Sequence, residues 1–395
     1  MSWPMVSLGD VCVLINGDRG KNYPSKEALF LEGIPFINAS NLQDDLSIKC
    51  SGANYITDER FELLSNGKVE NKDILFCLRG SLGKFGIVGD EIEKGAIASS
   101  LVIIRPKNKL NHDYLKNYLR STLCKREIQN YENGAAQPNL SAKDLKEFKI
   151  PLPPLSEQQR IAAILDKADA IRQKRQQAIK LADDFLRSVF LDMFGDPVSN
   201  PKGWEIRFID QLCTEIVDCI NRTAPTVDNP TLYKMIRTTN VRNYSLDTEN
   251  VRYVDEETYL KWVRRLEPKV GDLIFTREAP AGEAAVVYTN EKIFLGQRTM
   301  HFRPDPKLIS SEYLLFELMG KGVKVQINKM HAGSTVTHLS VPECKKFKIR
   351  VPPLELQRKF ESIRMFVLRS GALRAESDEI PLFESISQKA FSGQL

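Results

Sequence analysis

Apolar residues recur at heptad spacing between Pro154 and Gly195, a stretch with no glycine or proline of its own. One set of positions carries Ile161, Ala168, Arg175, Ala182 and Val189. The other carries Ile164, Ile171, Ala178, Phe185 and Asp192. Only Arg175 and Asp192 interrupt the apolar seam, so the pattern predicts one long helix with a coiled-coil face over residues 156–191. Pro151, Pro153 and Pro154 hold the preceding chain extended. Ser156 is the expected N-cap with Gln159 as its capping-box partner, and Gly195 and Pro197 end the helix.

On either side of this helix the pattern changes to short alternating runs broken by Gly and Pro, the mark of strands in an irregular α+β fold. Strands are expected near Trp3, over residues 34–38, 73–78, 86–88 and 101–104, with a helix over 113–129. The same order returns later. Asp73-Ile74-Leu75-Phe76 matches Asp272-Leu273-Ile274-Phe275. Gly83 matches Gly282, Tyr114 matches Tyr313, Leu140-Ser141 matches Leu339-Ser340, and Gln158 matches Gln357. Each pair is 199 apart (272 − 73). One offset kept over this length means a duplicated domain. The expected fold is therefore α+β, with two tandem-duplicated globular domains separated by two long helices. Its parts are residues 1–150, 151–196, 197–349 and 350–395. In the last part Phe360, Ile363 and Val367 keep a seam, but Gly371 and Pro381 interrupt it. After them the match shifts to 201 (383 − 182), which predicts a bend or short break.

Composition narrows the function by exclusion. A chain of 395 residues with net charge +5 permits a nucleic-acid partner without requiring one. No apolar run approaches the ~20 residues of a membrane span, and no signal peptide is expected at the N-terminus. Seven scattered cysteines without C-x-x-C point to free thiols in a reducing cytoplasm. His112, His301, His331 and His338 have no zinc spacing. Gly80, Gly83 and Gly86 do not make G-x-G-x-x-G, and no [ND]-P-P-[FYW] or G-x-x-x-x-G-K-[ST] occurs. No catalytic residues, metal ligands or cofactor of its own are expected.

Two loops per half have the chemistry of a nucleic-acid contact. The first holds Arg79, Ser81 and Lys84, and corresponds to the loop that starts at Thr276 and Arg277. Arginine binds guanine or phosphate through two parallel bonds, and the flanking glycines allow close approach. The second holds Gln137 and Asn139, and corresponds to Thr335 and His338, whose polar tips suit base edges or phosphates. Arg19, Lys21, Lys234, Arg237, Arg242 and Arg298 add candidates. Each loop would equally serve as a polar turn bonded to its own backbone, and the sequence leaves both readings open.

The block KIPLPPLSEQQRI (149–161), with KIRVPPLELQRK (348–359) in the second half, resembles the two helix-forming regions of the specificity subunit of type I restriction–modification systems. The resemblance covers the whole chain in the right order. It implies that each globular half is a target-recognition domain reading one half of a bipartite, asymmetric double-stranded DNA site. The two long helices would pack as an antiparallel coiled coil, set the spacing and dock methylation subunits, which bind S-adenosylmethionine, and ATP- and Mg-dependent restriction subunits. The chain itself would be non-catalytic within an adenine-DNA methyltransferase and endonuclease. The competing readings are an enzyme with its own active site and a protein-interaction scaffold. Where the first half has Ile97-Ala98-Ser99-Ser100, the second has Leu295-Gly296-Gln297-Arg298-Thr299, so reading residues do not transfer between halves.

Overall fold

The alternating runs of the first half form nine strands: β1 (Met5–Ser7), β2 (Cys12–Asn16), β3 (Ile34–Ile37), β4 (Asn54–Ile56), β5 (Ile74–Cys77), β6 (Phe85–Ile87), β7 (Ala96–Ile97), β8 (Leu101–Pro106) and β9 (Lys149–Pro151). The computed structural model describes residues 3–132, 140–330, 338–371 and 380–395. In it β2-β8-β5-β6 make an antiparallel sheet, β4-β3-β7 a mixed one, and β1 pairs with β9. The second half has β10 (Glu205–Phe208), β11 (Cys213–Asp218), β12 (Tyr233–Ile236), β13 (Val241–Arg242), β14 (Ser245–Leu246), β15 (Arg252–Val254), β16 (Leu273–Thr276), β17 (Ala284–Val286), β18 (Lys292–Leu295), β19 (Thr299–Pro304) and β20 (Lys348–Val351). Its sheets β11-β19-β16-β17, β15-β12-β18 and β10-β20 repeat the first set, and among the described residues the small β13-β14 ladder is added. The 199-residue offset is thus a repeated topology.

The helices are α1 (Leu8–Val11), α2 (Asp58–Leu63), α3 (His112–Arg120), α4 (Thr122–Glu132), α5 (Ala142–Glu147) and α6 (Leu155–Phe194), then α7 (Glu256–Val263), α8 (Ser311–Met319), α9 (Lys321–Met330), α10 (Val341–Lys345), α11 (Leu354–Arg369) and α12 (Ile380–Ser392). None of the described helices is long and apolar enough to cross a membrane. Strand β5 is buried along its whole length because both sheet faces are covered. Ile74 and Phe76 pack with Tyr114, Leu115 and Ile161, whereas Leu75 and Cys77 pack with Ile37 and Val69. Leu273 and Ile274 divide in the same way.

The recurring motif residues turn out to be fasteners. Gln158 is buried; its Oε1 accepts the Asn111 amide at 2.8 Å, and its Nε2 donates to the carbonyls of Pro153 (2.8 Å) and Lys109 (3.0 Å). Gln357 does the same with the Ser310 amide and the Pro352 and Leu308 carbonyls. The Tyr114 hydroxyl donates to Pro151 O, and that of Tyr313 to Arg350 O. Asn41 and Asn240 each bridge a tight turn. Ser141 and Ser340 close capping boxes with Asp144 and Glu343. A block such as P-P-L-x-x-Q therefore locks the helix root to its domain, because a buried amide satisfies three backbone groups that water cannot reach.

Three expectations about the helices change. α6 starts at Leu155 and runs 40 residues, roughly 60 Å at ~1.5 Å per residue. Ser156 thus lies inside it and is not the N-cap; the first turn closes on Pro154 O, which accepts from the Gln158 amide. The helix expected over 113–129 is two helices broken at Ser121, whose hydroxyl donates to Tyr118 O and accepts the Cys124 amide. The distal region is not one long helix. α11 ends at Arg369, with Gly371 at φ +77° where only glycine sits without strain, and α12 begins at Ile380.

The chain divides into two compact units, residues 1–174 with 376–395, and residues 175–375. α6 contributes its first part to one and its second part to the other. Each unit is closed by a helix tail under a tryptophan. In the second unit Trp204 Nε1 donates to Phe194 O at 2.9 Å, at the end of α6. In the first, Trp3 Nε1 donates to Ala390 O at 3.3 Å, near the end of α12. The burial of the two tails keeps the expected offset of 201: Ser387 and Phe391 are buried where Leu186 and Phe190 are (387 − 186, 391 − 190), with Phe391 on Tyr114 and Phe190 on Tyr313.

The second unit carries a pH-sensitive fastener. Asp272 accepts from Arg303 Nη2 (2.7 Å) and Nε (2.9 Å), from the Lys269 amide (2.8 Å), and lies 2.7 Å from His301 Nε2. Burial pushes its pKa up, but the bonds from His301 and Arg303 prevail and hold it at about 2 against an ordinary 3.8. A depressed carboxyl adds stability that is complete above the unfolded pKa and is lost as pH falls through the folded one. We therefore expect the second unit to lose about 2 kcal/mol between pH ~4 and ~2. Asp272→Asn should remove that acid limb. Urea unfolding of both proteins across this range measures it, and parallel pH curves would refute it.

Candidate nucleic-acid interface

In each unit several loops meet at one end of the four-stranded sheet. In the first unit these are the loop after β2, the β5–β6 loop and the loop before β8. The Leu78 amide donates to Ser100 O at 2.8 Å, the Leu140 amide donates to Leu78 O at 3.1 Å, and Arg19 Nη2 donates to Ser99 O at 3.3 Å. In the second unit the Arg277 amide donates to Arg298 O at 2.8 Å and the Leu339 amide to Arg277 O at 3.1 Å. Thr223 Oγ1 donates to Gln297 Oε1 at 3.2 Å. Gly83 (φ +80°) and Gly282 (φ +92°) turn the β5–β6 loop and its counterpart at the same place.

These bonds correct the pairing of the two arginines. Arg277 makes the backbone contacts of Leu78, so the residue matching Arg79 is Glu278, and Arg298 matches Ser100. Arg277 is buried; its Nη1 donates to Leu339 O at 3.2 Å. Thr276 is buried as well, its hydroxyl donating to Pro280 O at 2.6 Å and accepting the Glu283 amide at 3.0 Å. Both are candidates for contact that lie buried and brace the loop from inside, because β16 is covered on both faces and the burial extends to Arg277.

The other candidates fall into two groups. Arg19, Lys21, Arg79 and Ser81 are exposed on the loops of the first unit. Lys84 is half-buried, 3.9 Å from Asp44, beside an open groove of about 680 Å³ that Arg120, Lys125 and Phe383 also line. In the second unit, Arg298 and His338 are exposed and share Glu278: Arg298 Nε lies 3.0 Å from Oε2, and His338 Nδ1 contacts Oε1. Lys234 is paired with Glu291. Arg237 uses its amide and carbonyl in the Asn240 turn. Arg242 is spent on loop carbonyls, with Nη1 donating to Thr238 O and Val241 O and Nη2 to Ala279 O at 3.2 Å. Gln137, Asn139 and Thr335 lie outside the described residues.

Two site residues escape the sequence reading. Asp18 is buried beside Arg19; its Oδ1 accepts the Gly20 amide at 2.6 Å, and its Oδ2 accepts the Ser65 amide and hydroxyl at 2.9 and 2.8 Å. The Gly20 amide, followed by the Ser65 donors, holds its carboxyl below the usual range. Glu278 was hidden by the one-residue misalignment with Arg79. A strict offset of 199 from Arg79 would have found it, and would have shown opposite charges at matching positions.

The comparisons with known proteins agree with this architecture. A family model described as the type I restriction modification DNA specificity domain matches residues 2–181 and 201–363. The chain is similar to the type I restriction enzyme MjaVIII specificity subunit of Methanocaldococcus jannaschii, with 25% identity over 90% of this chain and 84% of that one. It is also similar to the EcoKI specificity subunit of Escherichia coli, with 22% identity over 100% and 89%. Its fold is similar to the crystal structure of a type I restriction–modification S subunit from M. genitalium, with a TM-score of 0.62 and 13% identity over 99% and 96% of the two chains. With a duplicated α+β domain, a long helix between the copies and the family model matched on both, the chain belongs to the type I restriction–modification DNA specificity subunits, the non-catalytic members of their complexes, and carries two target-recognition domains.

Proposed function

We propose that the loop end of each unit reads one half of a bipartite, asymmetric DNA site. Residues 1–150 and 197–349 do the reading, and the helical regions 151–196 and 350–395 set the spacing and dock the other subunits. The observation that carries this is one loop frame used twice with different side chains on it, Arg79 and Ser100 against Glu278 and Arg298. A shared frame with divergent tips suits two domains that do one task on two sequences. Methylation subunits with S-adenosylmethionine, and restriction subunits with ATP and Mg, supply the chemistry in the cytoplasm.

Methylation mapping of the chain with its cognate methylation subunit, on a library of spacer lengths, tests the reading. The native complex should mark adenines in two half-sites a fixed distance apart. Four residues inserted within 173–178 of α6 lengthen it by about 6 Å and turn its seam little, since ~3.6 residues make a turn. The preferred spacer should grow by roughly one or two base pairs at ~3.4 Å each, with both half-sites unchanged. An unchanged spacer in a folded, active variant would remove α6 from the ruler. No sequence preference at all would favour a scaffold.

A further inference from the structure

We propose that Arg298, held by Glu278, reads a guanine in the half-site of the second unit, and that Glu278 is its positioning residue. This rests on the reading that the loop end of that unit contacts DNA. Glu278 sits at the root of the β16–β17 loop with its side chain 16% exposed, while Arg298 is 57% and His338 60% exposed. The Arg277 amide bonded to Arg298 O fixes the two backbones side by side. One carboxylate then serves two loops, with Oε2 for Arg298 and Oε1 for His338. Arg242 holds the same loop from behind through Ala279 O.

Three features point to a base edge. The closest approach to Glu278 is through Arg298 Nε, whereas guanine O6 and N7 are read by a parallel pair of guanidinium N–H groups. A carboxylate beside the guanidinium repels a phosphate but not a neutral base, so it weakens a backbone contact more than a base contact. Arg298 also holds φ +68°, a left-handed conformation unfavourable for a residue with a side chain, and such strain persists where the surroundings impose it. The first unit has neither partner: Arg79 stands where Glu278 is and Ser100 where Arg298 is. Its cation therefore comes from the other loop, and its half-site should be read with a different geometry.

The test uses the full chain with its methylation subunit on DNA randomised across both half-sites, with Arg298→Ala, Glu278→Gln and the double variant. Arg298→Ala should lose roughly tenfold or more of the preference for guanine at one position and leave the other positions unchanged. Glu278→Gln should weaken preference at that same position, with an unchanged melting temperature, and the double variant should be no worse than Arg298→Ala. Arg298→Lys should not restore the preference, because an ammonium is a point donor. A loss equal for all sequences would make Arg298 a phosphate contact and overturn the assignment. So would an effect of Glu278→Gln at a different position. Intact preference in both half-sites after Arg298→Ala overturns the assignment alone, whereas a native complex without base preference overturns the recognition reading with it.

Discussion

Replacing Phe391 by alanine should destabilise the first unit by about 3–5 kcal/mol, although the residue lies four positions from the C-terminus. Its ring is 4% exposed and meets Tyr114 and Tyr118 edge-on, at 5.3 and 6.1 Å between centroids. It belongs to the core that contains Leu8, Ile74 and Ile161. α12 is further tied there by Trp3 on Ala390 O and by the Arg120 guanidinium 5.2 Å from the Phe383 ring. Truncating a buried aromatic removes its transfer free energy and leaves a cavity that the surrounding tyrosines fill only in part. In a melt the transition of the first unit should fall by on the order of 10 °C, while that of the second unit stays. The matched control is Phe366→Ala on α11, whose ring is 75% exposed and whose loss should change little. A drop confined to the second unit, or none, would refute the placement of α12. Methylation by the variant complex should lose the first half-site before the second on warming.

Arg350→Ala should cost the second unit a similar 3–5 kcal/mol, by a different mechanism. Arg350 and Glu317 are buried, 3% and 4% exposed, with Nη2 2.5 Å and Nε 3.1 Å from Glu317 Oε1. Arg350 Nη1 donates to the carbonyls of Phe194 and Gly195 at 2.9 Å each. It thus ends α6, whose last carbonyls have no partner within the helix. The alanine variant leaves a carboxylate buried without its counter-charge, takes the donor from Gly195 O and leaves Phe194 O with Trp204 Nε1 alone. Arg350→Leu combined with Glu317→Leu removes the first cost but not the second, and should remain destabilised by about 1–3 kcal/mol. Denaturant unfolding of the single and double variants separates the two terms. A double variant as unstable as Arg350→Ala would mean that the carbonyl contacts, not the buried charge, carry the energy. The first half cannot use this device, because the positions matching Arg350 and Glu317 are Pro151 and Tyr118.

Local pattern and the repeat sufficed for much of this protein. The heptad seam predicts α6 because a helix that long needs an apolar face and no breaker. The strands around Asp73 and Asp272 follow from short β-rich runs buried on both sides. The constant offset of 199 determined that two copies of one topology exist, and the resemblance carried by P-P-L-x-x-Q assigned the family. The helix caps were less legible, since Ser156 is a good N-cap by type, yet the helix starts at Leu155, with Pro154 O accepting the Glu157 and Gln158 amides.

Tertiary structure alone decided where the copies close and which side chains face out. That α12 completes the first unit depends on contacts between residues nearly the whole chain apart, Trp3 with Ala390 among them, and no local propensity encodes such contacts. Arg277 and Arg298 are the same residue type in loops of similar polarity. One is inside, bonded to Leu339 O, and the other is outside against Glu278, because Arg277 directly follows β16, which is covered on both faces, whereas Arg298 stands in the loop before β19. A composition of basic and polar residues singled out loops that meet at one end of each domain. Which arginine reaches the surface, and which carboxylate holds it, is set by backbone pairing between strands distant in sequence.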